Sequence, residues 1–182
     1  MPRITPLVHE QATGKAKELL DGVKGKFGFV PNMLATMAQS PAVLRAYLDF
    51  SAALATGTLN ARVREQIALV VAETNSCDYC ASAHSTIGKM VGLSDADVAA
   101  ARDGAATDPK IGAILTLARD LVTSKGRVSD DQLRAARAAG LTDGEVAEVV
   151  ANVAINIFTN YINHVADPVI DFPVKVKTRG AA

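Results

Sequence analysis

Apolar residues recur at helical spacing along almost the whole chain. Over 11–23 they fall at Ala16, Leu19, Leu20 and Val23, a stripe of period 3.6. The stretch 25–31 breaks that helix. Pro31 opens a short helix, and Pro41 takes the first turn of another that runs to about residue 56. Asn60 caps a helix reaching about residue 73. Residues 74–76 interrupt it, and Ser76 is the expected N-cap of a helix through Val91. Gly92-Leu93-Ser94-Asp95-Ala96-Asp97 is echoed by Gly140-Leu141-Thr142-Asp143-Gly144-Glu145. Each is a glycine stop followed by Ser or Thr with an acidic residue three positions on, the signature of a reciprocal cap. Ser129 with Gln132 is a third such start. These signals predict helices at 95–103, 109–124, 130–139 and 143–165. Sustained period-two alternation is absent, and so are hairpin dipeptides. The pattern predicts a single all-α domain over 1–182. Pro168, Pro173 and a basic tail make 167–182 an extended arm, ordered only where it docks.

Composition narrows the function. The 182 residues hold 19 basic and 19 acidic side chains, so no global field draws nucleic acid or an acidic membrane. No run approaches the ~18 apolar residues of a membrane span. Residues are 49% hydrophobic but only 4% aromatic, with no Trp. The core must therefore be Ala, Val, Leu and Ile, which suits closely packed helices. Met1-Pro2-Arg3-Ile4 is no apolar signal segment, and the chain has two cysteines. A cytoplasmic, reducing setting is expected, where a C-x-x-C pair serves catalysis or metal binding more often than stapling.

Those cysteines concentrate the chemistry. Cys77 and Cys80 are followed by His84, and at about 100° per residue the three lie near 0°, 300° and 340° on one helix face. An imidazole one turn beyond a thiol is placed to take or return its proton. A thiol one turn before is placed to close a disulfide. In the preceding helix, Val63, Ile67, Val70 and Val71 form one apolar stripe. Glu65 shares a second face with Leu69 and Ala72, so it is expected to be partly buried. If the chain folds back at residue 75, Glu65 and His84 stand ten and nine residues from the turn, both about 14 Å away at 1.5 Å per residue. In one continuous helix they would be about 28 Å apart. An antiparallel hairpin therefore predicts a chain of groups from Glu65 through His84 to Cys80, with Cys77 alongside. Thiolate character, the requirement for nucleophilic sulfur, is favoured at a helix start.

The motif resembles the alkylhydroperoxidase D-like group of the carboxymuconolactone decarboxylase superfamily. Arg64-Glu65, twelve residues to Cys77, and C-x-x-C-x-x-x-H ending at His84 carry the resemblance. Gly28-Phe29-Val30-Pro31-Asn32, Asn75 to Cys80, and Asn160-Tyr161 to Asp171-Phe172-Pro173 are similar to its peroxidase-related members. The resemblance implies an all-helical bundle built around the antiparallel hairpin. It also implies homo-oligomers, trimers or hexamers, that reduce hydrogen peroxide or organic hydroperoxides. Cys80 would be the peroxidatic thiol, Cys77 the resolving thiol, and Glu65 with His84 the proton relay. No bound cofactor is implied. An external dithiol is, a lipoylated protein being such a donor in the best-studied members. Those members carry a histidine immediately before the second cysteine; this chain has Tyr79.

Three other readings stand beside this one. Tyr79 in place of histidine suits a redox-sensing or thiol–disulfide exchange module without peroxide turnover. Cys77, Cys80 and His84, with Glu65 or Glu73, offer ligands for a metal, although no second cysteine pair completes a structural site. The thiols could also be inert and buried, with Glu65 merely paired to Arg62 or Arg64. Asn163 and His164 read more simply as a polar helix end than as catalytic groups.

Overall fold

One helix that is apolar on two faces organises the molecule. The computed structural model describes residues 1–180, and these hold nine α-helices and no strand. They are α1 (Gly14–Phe27), α2 (Asn32–Met37), α3 (Pro41–Leu54), α4 (Ala61–Thr74), α5 (Asp78–Met90), α6 (Asp95–Arg102), α7 (Pro109–Thr123), α8 (Asp130–Ala138) and α9 (Asp143–Ala166). The all-helical expectation is borne out. Helix α4 runs through the centre and packs against α5, α6, α7 and α9. Ile67, Leu69, Val70 and Val71 are buried there with Leu115 and Val149. Each such side chain contributes about 1.5–3 kcal/mol by leaving water. A second core lies under α1–α3, around Leu20, Val23, Leu34 and Leu44.

The helix starts follow their sequence signals. Asn60 accepts a hydrogen bond from the Val63 amide at 3.1 Å. Reciprocal capping boxes form at Ser94/Asp97, Ser129/Gln132 and Thr142/Glu145. The start of α5 differs from expectation. Ser76 takes a left-handed φ of 57°, closing α4 as the residue after its C-cap. The Ser76 amide bonds to Glu73 O and the Cys77 amide to Ala72 O, the paired bonds of a Schellman turn. With Ser76 committed to ending α4, Cys77 becomes the N-cap of α5, and its sulfur accepts from the Cys80 amide at 3.3 Å.

Residues 167–180 contain no helix and strap across the turn end of the hairpin. Asp78 accepts from Thr178 and Lys177, and Glu73 accepts from Arg179. Ser82 receives the Val176 amide. Phe172 is buried edge-on against Tyr79 and Phe29, with ring centroids 5.8 Å apart in both pairs. The last two residues of the expected arm, 181 and 182, lie outside the described part.

Candidate active site

The hairpin brings the predicted groups together. His84 Nδ1 lies 2.7 Å from Glu65 Oε2, across the α4–α5 interface. Neither group pairs as the simpler reading had it: Arg62 faces Asp97, and Arg64 bonds to the Leu59 carbonyl. The Glu65 and His84 side chains are 18% and 20% exposed, shielded yet reachable. Cys77 and Cys80 are free thiols, almost wholly buried, with their sulfurs 2.6 Å apart. The Cys77 thiol donates and Cys80 accepts.

That polarity separates the two sulfurs chemically. The hydrogen bond to Cys80 is the main influence raising the Cys77 pKa, and burial adds to it. Burial is also the largest single influence on Cys80 and acts upward. The Cys77 hydrogen bond, the positive field of His84 and the Asn163 amide together outweigh it and bring Cys80 down to about 7. Burial disfavours the imidazolium of His84, but the Glu65 carboxylate prevails and raises its pKa. The phenol of the half-buried Tyr47 is pushed up to about 12, by desolvation first and then by Glu65 and Cys80. The site thus holds one acidified thiol near an imidazole whose hold on its proton is strengthened by Glu65.

Asn163 is the residue that sequence reasoning underrated. Its Nδ2 donates to Cys80 Sγ at 3.1 Å and to Met33 Sδ at 3.3 Å. A signal was present. Asn152, Asn156, Asn160 and Asn163 recur every three or four residues along α9, and all are buried. A line of amides inside an apolar helix marks a face with something polar to meet. Asn160 accepts from Asn75. His164, by contrast, is exposed at the helix end. Tyr79 directs its hydroxyl to the strap and to α2. Its hydroxyl donates to Asp171 at 2.8 Å and accepts from the Met33 amide.

Three cavities reach the site. A chamber of about 50 Å³ is lined by Cys80, His84, Tyr79, Met33 and Phe172. A cleft of about 260 Å³ opens beyond the imidazole, lined by Glu65, His84, Arg64, Ile155 and Asn156. Tyr47, Thr159 and Ile87 border both. A groove of about 480 Å³, lined by Cys77, Asn163, His164 and Lys177, approaches from the strap. Among the described residues no group of three or more His, Cys, Asp or Glu side chains is arranged to hold a metal ion.

Comparison with known proteins finds a partial match in sequence and a full match in fold. Residues 41–123, from the start of α3 to the end of α7, match the profile of the carboxymuconolactone decarboxylase family. That segment contains the entire Glu65–Cys77–Cys80–His84 hairpin. A peroxidase-related protein from Ralstonia eutropha JMP134, described as an alkylhydroperoxidase AhpD core, superposes with a TM-score of 0.82. It is 24% identical, over 98% of this chain and 97% of that one. The chain therefore has the fold of an alkylhydroperoxidase AhpD core, and its segment 41–123 is similar to the carboxymuconolactone decarboxylase family. A peroxidase-related protein from Silicibacter sp. TM1040 shares the fold at a TM-score of 0.81 and 20% identity, over 97% and 96% of the two chains. A variant of the debrominase Bmp8 in complex with 2,3,4-tribromopyrrole does so at 0.79 and 23%, over 92% and 91%. A protein from Haemophilus influenzae is 43% identical over 70 residues, which cover 38% of this chain. The chain spans 57% of that relative's length.

Proposed function

We propose that this protein reduces hydrogen peroxide or organic hydroperoxides through a Cys77/Cys80 dithiol–disulfide cycle. The observation that carries this reading is an acidified, amide-bonded Cys80 with a second thiol 2.6 Å away and a His84–Glu65 pair beside it. The Cys80 thiolate attacks the outer oxygen of the peroxide, forming an S–O bond and breaking the O–O bond. His84, held protonated by Glu65, gives its proton to the departing alkoxide or hydroxide. Cys77 then attacks the sulfenic sulfur, forming the disulfide and releasing water. An external dithiol restores both thiols by exchange, a lipoyl-type donor being the class that suits a reducing cytoplasm. The chamber of about 50 Å³ takes a peroxide group, since one water occupies about 30 Å³ in the liquid.

The test is loss of cumene hydroperoxide with dihydrolipoamide as reductant. Turnover is expected in the wild type and absent in Cys80→Ser; a variant that retains it overturns the assignment. Absence of wild-type turnover, with reversible disulfide formation by other oxidants, would favour the redox-module reading. A second electrophile belongs in the same assay. The cleft beyond His84 has apolar walls at Leu54, Ala68 and Ile155, and Bmp8 is a debrominase of the same fold. Bromide release from 2,3,4-tribromopyrrole would move the reading from peroxide to carbon–halogen chemistry.

A further inference from the structure

The two cysteines border different cavities. Cys80 borders the apolar chamber, which Cys77 does not reach. Cys77 borders the polar groove between the end of α9 and the strap, which Cys80 does not reach. Asn163 stands between them, lining the groove and bonding to Cys80. The groove is the larger space; Tyr79 lines it as well as the chamber, but Asp78, His164, Asp167 and Lys177 give it a charged, polar wall that the chamber lacks.

We infer that substrate and reductant use different faces: hydroperoxide meets Cys80 through the chamber, and a dithiol enters the groove and attacks the disulfide at Cys77. This rests on the dithiol cycle proposed above. The electron count closes in two exchanges. A donor thiolate forms a sulfur–sulfur bond to Cys77 and breaks the Cys77–Cys80 bond, and the electron pair leaves on Cys80. The donor's second thiol then attacks its own sulfur in the mixed disulfide. The donor leaves as a disulfide, and Cys77 returns as a thiol carrying the proton released by the donor. Leaving-group chemistry favours the same direction. Cys80, accepting bonds from Cys77 and Asn163, is the better thiolate to expel, and expulsion is faster for the more acidic sulfur. Reduction at Cys77 therefore regenerates the reactive Cys80 thiolate directly, while the substrate chamber stays closed to the donor.

The experiment separates this inference from the peroxidase reading by making the disulfide with diamide instead of peroxide. Oxidised wild-type protein is mixed briefly with excess cysteamine, quenched in acid, alkylated with N-ethylmaleimide and sequenced by mass spectrometry. The expected product carries cysteamine on Cys77 and maleimide on Cys80. The reverse pattern, or an even split, overturns the inference. As a second readout, His164→Trp should narrow the groove. Reduction of its diamide-formed disulfide by dithiothreitol is expected to slow roughly ten-fold, about 1.4 kcal/mol of barrier. Its melting temperature and helical circular dichroism should be unchanged, since His164 is exposed. A wild-type reduction rate in that folded variant also overturns the inference.

Discussion

Cys80 is acidic because its surroundings outweigh its burial, so its reactivity should follow those surroundings one by one. The Cys77 thiol, the His84 charge and the Asn163 amide all favour thiolate, bringing its pKa to about 7 against desolvation. Carbamidomethylation of Cys80 should accordingly rise as pH increases through about 7, while Cys77, pushed the other way, stays unreactive. Glu65→Gln removes the carboxylate that holds the proton on His84. The imidazolium is then lost at lower pH, the thiolate loses its positive neighbour, and the Cys80 midpoint should move up by about one unit. Asn163→Leu should move it up as well, by removing a donor. An unchanged alkylation profile in both variants would contradict this account of the thiolate. The Glu65–His84 contact was legible from the chain by counting residues from the turn, because both helices rise at one fixed rate. The Asn163–Cys80 contact was not. Spacing gives the amide face of α9 but not the height at which that helix crosses the hairpin. Cys77 as a helix cap was hidden for another reason: sulfur is no usual capping acceptor, and Ser76 beside it looks the better one.

The strap is the element that closes the site. Phe172 fills the space between Tyr79 and Phe29, and it also borders the Cys80 chamber. Phe172→Ala should cost about 3–5 kcal/mol, read as a lowered midpoint of chemical unfolding. At a concentration of denaturant far below that midpoint, the same variant should let a bulky maleimide reach Cys80 faster. A variant of unchanged stability and accessibility would mean that the strap is not part of the wall. Helices α6, α8 and α9 were readable to within a residue or two because their caps are local, formed by side chains three positions apart. The strap was not readable as a wall. It is held by Arg179 on Glu73 and Lys177 on Asp78, pairs about a hundred residues apart. Nothing within the tail itself specifies them beyond its basic charge.

At the scale of the molecule, α4 is consumed by the internal core while α9 keeps an apolar stripe on its outer face. Val150, Phe158, Tyr161 and Val165 are exposed along its outer face. We propose that this face meets another copy of the chain. Light scattering should then give a multiple of 19.0 kDa, and Phe158→Glu should reduce it. A wild-type monomer would contradict the proposal. The all-α architecture was legible because helical periodicity persists from end to end. How copies assemble was not, since an outward apolar stripe reads the same in sequence as an inward one. The claim on which the rest depends is that one thiolate takes the peroxide and its neighbour resolves it. Intact-mass measurement after one equivalent of cumene hydroperoxide tests it most directly. The wild type should lose two hydrogens as the Cys77–Cys80 disulfide forms, and Cys77→Ser should instead gain one oxygen, located at Cys80. A wild type unchanged in mass, or an oxygen retained on Cys77, would contradict the mechanism.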